Sequence, residues 1–159
     1  MTSLTLLSQS VTTTCAIAAM LAKQCCPGDC ILLRGDLGAG KTAFARGFIQ
    51  SLCADATEVT SPTFTLVQTY PAADGGLVSH FDLYRLKARA ELEEIGLDEA
   101  LQTGITLIEW PELAEDMLPK GALDVSITIG NTEQERALIF SGMAETWQER
   151  IAKLKEYSL

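Results

Sequence analysis

The chain has 159 residues, of which 47% are hydrophobic, and its 12 Lys and Arg residues against 21 Asp and Glu residues give a formal net charge of −9. This length and composition are typical of a globular domain, so we expect residues 1–159 to form a single domain. The negative charge argues against unaided binding to DNA, RNA or an anionic membrane, because such binding depends on Lys and Arg neutralising phosphates.

The first part of the chain predicts alternating strands and helices. Residues 3–7 predict a short strand, and residues 11–24 predict a helix for which Ser10 has the side chain of an N-cap. The apolar run 30–33 predicts a buried strand, and residues 41–53 predict a second helix with one apolar face.

The second part of the chain predicts five strands and two helices. They are expected at residues 65–70 (strand), 77–81 (strand), 90–102 (helix), 105–108 (strand), 124–129 (strand), 137–140 (strand) and 144–157 (helix). Gly96 is expected to split the first of these helices, and residues 71–76 have the composition of a hairpin turn. The element order predicts an α/β fold whose mixed sheet has a parallel core, added antiparallel strands and flanking helices.

Residues 35–42 match the phosphate-binding pattern G-x-x-x-x-G-K-[ST] without exception. Glycines let such a loop turn its N–H groups toward phosphates, and the N-terminus of the following helix favours an anion. A strand before the loop and a helix after it argue against a chance match and predict a P-loop NTPase-like fold. The residues predicted to bind nucleotide in this loop are Leu37, Gly38, Ala39, Gly40, Lys41 and Thr42. Lys41 is expected to reach the β- and γ-phosphates, and Thr42 to ligate Mg²⁺.

Two acidic residues at predicted strand ends are candidates for the chemistry. Glu109 follows the apolar strand 105–108, where P-loop enzymes carry the acid that positions Mg²⁺ or its water; the alternative is a solvated carboxylate. Asp82 follows another strand, and it either enters the phosphate site, caps the strand or pairs with Arg85. His80, two residues earlier, is more typical of a structural histidine.

Two other features near these residues have more than one interpretation. Residues 61–64 (S-P-T-F) are compact and polar, which suits either a switch segment that senses the γ-phosphate or an ordinary turn. Trp110 either belongs to the core, covers the nucleotide or contacts a partner. ATP is preferred over GTP, because the guanine-reading N-K-x-D is missing and the one asparagine, Asn131, is followed by Thr132.

The cysteines and the N-terminus favour a cytoplasmic protein. The five cysteines include no C-x-x-C pair, and Cys25, Cys26 and Cys30 are expected to be free thiols rather than zinc ligands. The N-terminus lacks a basic region followed by an apolar run and a cleavage site, and no apolar stretch reaches the ~18 residues of a transmembrane helix.

Four motifs together resemble the TsaE family, also called YjeE, whose members assist the threonylcarbamoyladenosine (t6A) modification of tRNA in bacteria. They are residues 35–42, residues 61–67 (S-P-T-F-T-L-V), residues 80–86 (H-F-D-L-Y-R-L) and residues 108–111 (I-E-W-P). The resemblance spans roughly residues 4–140. It implies a weak ATPase that works with the TsaD and TsaB proteins and meets tRNA only through that complex.

The resemblance also implies roles for particular residues. It assigns phosphate binding to the loop up to and including Lys41, and it assigns Mg²⁺ binding to Thr42 and Glu109. Asp82 becomes an essential acid near the γ-phosphate, and Thr63 belongs to the switch loop.

Three further assignments rest on the resemblance alone. Trp110 matches a functionally sensitive tryptophan, and Arg136 resembles an arginine near the last hairpin that touches nucleotide or a partner. Residues 12–14, at the first helix, are expected to approach the adenine, and Thr12 is the one assigned to nucleotide binding. The chain departs from the family at Phe64, where Tyr is common, and at residues 54–57, which lack a glycine often found there.

Two alternative functions share the same loop. A small-molecule kinase stabilises the charge that develops on the transferred phosphoryl group with several Arg and Lys residues. This chain has few such residues after the phosphate-binding loop. They are Arg46, Arg85, Lys87, Arg89 and Arg136. A nucleotide-gated binding module would bind ATP without useful turnover, and only an assay with partners distinguishes it from the ATPase.

Overall fold

A single seven-stranded sheet organises the computed structural model, which describes residues 1–53 and 58–157. The strands are β1 (Thr2–Ser8), β2 (Cys30–Arg34), β3 (Val67–Pro71), β4 (Leu77–Asp82), β5 (Ile105–Glu109), β6 (Leu123–Ile129) and β7 (Arg136–Gly142). The helices are α1 (Val11–Ala22), α2 (Lys41–Leu52), α3 (Ala90–Glu94), α4 (Leu97–Thr103) and α5 (Thr146–Ala152), with 3₁₀ helices at Pro111–Met117 and Lys153–Tyr157.

The strand order is β1-β7-β6-β2-β5-β4-β3. Strands β6, β2, β5 and β4 are parallel to one another, whereas β1, β7 and β3 pair antiparallel at the two sides. The predicted mixed sheet with a parallel core is therefore confirmed. Parallel neighbours bring their carboxyl ends to the same edge, and there Asp82 of β4 lies in register with Glu109 of β5.

Apolar side chains fill both faces of the sheet because successive residues of a strand point to opposite sides. In β2, Ile31 and Leu33 belong to the cluster that holds α1, α2 and α5, and Leu32 belongs to the cluster under α3 and α4. A strand buried on both faces reads as a continuous apolar run, which explains why β2 was predictable without alternation.

Helices α1 and α2 pack together closely at Gly47. A Cβ atom on this residue would lie 2.5 Å from the carbonyl oxygen of Cys15 and 2.6 Å from the Cα of Cys15. The start of α1 is fixed as predicted, because the Thr13 N–H donates to the Ser10 hydroxyl at 3.1 Å. The close approach holds α2, and with it the phosphate-binding loop, against α1.

We expect Gly47→Ala to destabilise the protein, although alanine is the better helix former. The added methyl group meets backbone atoms, which cannot rotate away, so the helices must separate at a cost of about 1–3 kcal/mol. The melting temperature should fall by roughly 2–4 °C for each kcal/mol lost. Gly121→Ala is the control, because nothing lies within 4 Å of its added Cβ. Equal melting temperatures for the two variants would contradict the prediction.

The structure shifts the bounds of several predicted elements and adds a 3₁₀ helix at Pro111–Met117 that was not predicted. Strand β3 begins at Val67 rather than residue 65, because the Leu66 N–H donates to the Pro62 carbonyl at 2.6 Å and closes a turn. The predicted C-terminal helix 144–157 is instead α5 followed by a 3₁₀ helix. Gly96 splits α3 from α4 as predicted, with a φ of +78°. Residues 54–57, where the sequence departs from the TsaE pattern, lie outside the described residues.

In the part of the chain that the structure describes, no helix combines the length and apolar character needed to cross a membrane.

Candidate functional site

The phosphate-binding loop joins β2 to α2 and depends on glycine at two kinds of position. Gly38 and Gly40 adopt left-handed backbone angles, with φ of +80° and +111°. Gly35 packs so closely on β6 that a Cβ there would lie 2.5 Å from the Ile127 carbonyl oxygen. The loop can therefore wrap tightly, and α2 begins directly after it at Lys41.

Lys41 is buried, and its ammonium group bonds to the loop itself. Nζ donates to the carbonyl oxygens of Gly35 at 2.5 Å and Asp36 at 2.9 Å, and it lies 4.1 Å from the ring centroid of Trp110. Burial lowers the pKa of Lys41, and the nearby carboxylates of Glu109 and Asp82 oppose that shift. A cation held beside the loop in this way is available to an entering phosphate.

Thr42 and Glu109 bring two kinds of oxygen donor together. The Thr42 hydroxyl lies 3.3 Å from Oε1 and 3.4 Å from Oε2 of Glu109, and Glu109 is only 2% exposed. The interpretation of Glu109 as a solvated carboxylate is therefore wrong. Mg²⁺ prefers oxygen ligands at 2.0–2.1 Å, so two adjacent ligands of its octahedron lie about 2.9 Å apart. The Thr42–Glu109 pair fits Mg²⁺ with a small adjustment, or through a water molecule.

Asp82 connects the sheet edge to residues 61–64. Its Oδ2 accepts a hydrogen bond from the Thr63 hydroxyl at 2.9 Å, and its Oδ1 accepts one from the Tyr84 N–H at 3.0 Å. Thr63 in turn contacts the Ser61 hydroxyl at 2.6 Å. Asp82 is 3% exposed and does not pair with Arg85, which instead lies over the Phe64 ring at 4.2 Å. The carboxylate both caps the end of β4 and lines the cleft.

These groups surround one cleft beside the phosphate-binding loop. It is lined by Leu37, Gly38, Gly40, Lys41, Thr42, Ala43, Ser61, Thr63, Asp82, Glu109 and Trp110. The structure thus brings together the predicted catalytic residues and all the predicted loop residues except Ala39, whose side chain is buried in the core. A cleft with one lysine, two carboxylates and hydroxyl groups suits a phosphate ester with a divalent cation.

Trp110 forms one wall of the cleft. It is half-buried, its backbone is left-handed with a φ of +56°, and its ring lies 4.8 Å from that of Tyr84. One face of the indole carries the Lys41 ammonium. Of the interpretations open from the sequence, the structure favours a residue of the cleft over a residue of the core.

Two residues that were predicted to contact nucleotide, Arg136 and Thr12, do not line the cleft. The Arg136 guanidinium donates to backbone carbonyls of Ala39 at 2.7 Å and Glu133 at 2.6 Å, so it ties the β6–β7 turn to the outside of the loop. Thr12 is exposed in the first turn of α1 and is not one of the residues that line the cleft in the described part of the chain. A nucleotide contact by either residue stays a prediction.

His80 is the site residue that sequence reasoning missed. It is fully buried, and its Nε2 lies 2.6 Å from Oε2 of Glu109. The available signal was the spacing of His80 and Asp82, since residues two apart on a strand share a face. That face points toward α2 and the loop, as the core cluster containing Val78 and Leu107 shows.

Cys25, Cys26 and Cys30 do not line this cleft. Cys26 is exposed, Cys25 is half-buried and Cys30 is buried, and burial raises the pKa of Cys30 to about 12. Within residues 1–53 and 58–157, no three or more His, Cys, Asp or Glu side chains group to hold a metal ion.

Comparisons with known proteins identify relatives over most of the chain. A family model described as "Threonylcarbamoyl adenosine biosynthesis protein TsaE" matches residues 8–138. The tRNA threonylcarbamoyladenosine biosynthesis protein TsaE of Bacillus subtilis is 38% identical over 144 residues, covering 89% of this chain and 87% of that protein. The protein of the same name from Rickettsia conorii is 40% identical over 133 residues, covering 84% of this chain and 75% of that protein.

A solved structure supports the same relationship. The crystal structure of Bacillus subtilis YdiB matches with a TM-score of 0.80 and 32% sequence identity, covering 98% of this chain and 96% of that chain. Together with the mixed sheet, this similarity confirms the predicted P-loop NTPase-like α/β fold.

Proposed function

The chain belongs to the TsaE family of threonylcarbamoyl adenosine biosynthesis proteins, and we propose that it is a cytoplasmic, Mg²⁺-dependent ATPase subunit of the t6A modification complex. The observation that carries the proposal is the convergence of Lys41, Thr42, Asp82 and Glu109 in one cleft. TsaD and TsaB are the proposed partners.

Each charged residue of the cleft has a separate task in this proposal. Lys41 binds the β- and γ-phosphates, exchanging the carbonyls of Gly35 and Asp36 for phosphate oxygens. Thr42 and Glu109 hold Mg²⁺, which neutralises charge on the phosphoryl oxygens when it is bound. Asp82 orients the attacking water, and its bond to Thr63 keeps residues 61–64 close to the γ-phosphate.

The charge of the chain supports an accessory role. A net charge of −9 disfavours holding tRNA directly, so the tRNA is proposed to be held by the partner proteins. Hydrolysis in this chain then drives or resets the complex rather than modifying the nucleoside.

We expect Asp82→Asn to lower ATP turnover by about 100-fold or more, because the carboxylate that orients the water is lost. ATP affinity should change little, since asparagine keeps an acceptor for the Tyr84 N–H and a polar atom for Thr63. Single-turnover hydrolysis and calorimetry measure the two effects. Asp98→Asn, on the exposed part of α4, is the control. Full turnover by Asp82→Asn would remove Asp82 from the mechanism.

The proposal is tested by measuring ADP release from Mg-ATP by the chain alone and with purified TsaD and TsaB. A slow rate alone that rises with the partners is expected. No rise, together with phosphate appearing on a small metabolite, would identify a kinase instead. Tight ATP binding without hydrolysis in either mixture would identify a nucleotide-gated module.

A further inference from the structure

The contact between His80 and Glu109 is buried and directional. His80 is 0% exposed and Glu109 is 2% exposed, and 2.6 Å separates the histidine Nε2 from the glutamate Oε2. The contact crosses from β4 to β5 on the face that holds α2. Only Oε2 of Glu109 takes part in this contact. Oε1 has no contact with His80 and lies 3.3 Å from the Thr42 hydroxyl, which is 3.4 Å from Oε2.

The second ring nitrogen of His80 shows which tautomer this contact requires. Nδ1 is buried and has no hydrogen-bond partner among the described residues. A protonated Nδ1 would be a buried donor without an acceptor, which costs more than an unused lone pair in this position. A carboxylate only accepts, so the proton is on Nε2, which donates to Glu109.

The hydrogen bond from His80 matters because, among the described residues, no other group forms a short hydrogen bond to Oε2 of Glu109. A glutamate side chain has three rotatable bonds, and Asp82 stands directly in register on the neighbouring strand. Two carboxylates so placed repel each other, so Asp82 pushes on the Glu109 side chain and does not hold it in place. The Thr42 hydroxyl contacts both oxygens only at 3.3 and 3.4 Å and cannot hold the group strongly.

We propose that His80 is a positioning residue that fixes Glu109 through Oε2, so that the carboxylate presents Oε1 beside Thr42 to a divalent cation. The inference rests on the proposed Mg²⁺-nucleotide site, and it assigns His80 no contact with nucleotide. Carboxylates that bind metals are themselves held by hydrogen bonds, and losing such a bond weakens metal binding about 10–100-fold.

The test compares two substitutions that place an amide at different distances along the side chain. His80→Gln puts its NH₂ group near the position of Nε2 and keeps a donor to Glu109. His80→Asn reaches only as far as Nδ1 and leaves Glu109 without one. The measurement is the Mg²⁺ concentration needed for half-maximal binding of a non-hydrolysable ATP analogue, followed by calorimetry, with melting temperatures as the folding check.

We expect His80→Gln to stay within about threefold of the unmodified protein and His80→Asn to need about 10–100-fold more Mg²⁺. Analogue binding without Mg²⁺ should be equal in all three proteins. Equal Mg²⁺ dependence in all three would overturn the inference, and so would equal impairment of both folded variants. The readout needs no hydrolysis, so failure of the ATPase proposal in the partner assay is a separate result.

A second measurement uses the fact that His80 is the only histidine. In the unmodified protein labelled with ¹⁵N-histidine, the two ring nitrogens are the only imidazole signals. We expect a protonated Nε2, a bare Nδ1, and a shift of the Nε2 signal when Mg²⁺ is added with ADP but not with ADP alone. If the chemical shift of Nε2 did not change when Mg²⁺ was added with ADP, the inference would be overturned even if His80→Asn failed to fold.

Discussion

Lys41→Ala is expected to weaken ATP binding by about 100-fold or more. Charge-assisted hydrogen bonds contribute about 1.5–3 kcal/mol each, and Lys41 is proposed to form more than one with the β- and γ-phosphates. The side chain is buried with an ammonium group whose pKa burial lowers, so alanine removes a desolvation cost and the fold should survive. Calorimetry with Mg-ATP measures the affinity directly.

Lys153→Ala is the control for this experiment, because it removes one positive charge from an exposed position on the C-terminal 3₁₀ helix. It should bind ATP like the unmodified protein. If Lys41→Ala kept its ATP affinity, the loop would not bind phosphates in the way proposed.

Glu109→Gln is expected to reduce turnover by about 100-fold while ATP affinity falls much less. The carboxylate acts mainly where charge grows on the phosphoryl group, and such interactions affect kcat more than ground-state binding. Glutamine has nearly the same shape, and its amide oxygen still accepts from the His80 Nε2–H. The comparison needs turnover and affinity measured at saturating Mg²⁺.

Glu99→Gln is the matched control, since Glu99 is an exposed glutamate on α4 and does not line the cleft. It should leave both quantities unchanged. A loss of ATP affinity in Glu109→Gln with turnover at saturating ATP unchanged would indicate a role in ground-state binding alone.

The parts of the fold that were predictable are those determined by local pattern. The apolar run of β2, the glycine loop and the capped start of α1 all follow from residues close in sequence. The predicted start of β3 was wrong because Leu66 has a left-handed backbone conformation. Leucine rarely adopts that conformation, so the sequence does not indicate it. Its position depends on a bond to Pro62 formed within the turn.

Site prediction met the same limit. Lys41 and Thr42 follow from one contiguous motif, whereas Glu109 and His80 meet through the pairing of β4 with β5, 29 residues apart. A lone histidine in an apolar strand gives no indication of that register. The hydrogen-bond partners of Arg136 could not be predicted either. Its guanidinium donates to backbone carbonyls, which every residue carries, so the sequence does not indicate which ones it reaches.

Leu66 and Trp110 have a consequence for selection experiments. They are the two non-glycine residues with positive φ in the part of the chain that the structure describes, and each adjoins a cleft segment, Leu66 following residues 61–64 and Trp110 following β5. Such a conformation costs about 1–2 kcal/mol for a residue with a Cβ. Glycine at either position relieves that cost but removes packing, since Leu66 packs against the core cluster under α3 and α4 and the Trp110 ring lies against Tyr84 and Lys41. Truncating a large packed side chain costs about 2–5 kcal/mol, which exceeds the strain relieved, so a library ranked by heat resistance should keep large side chains at both positions and leave the strained backbone of the cleft walls in place.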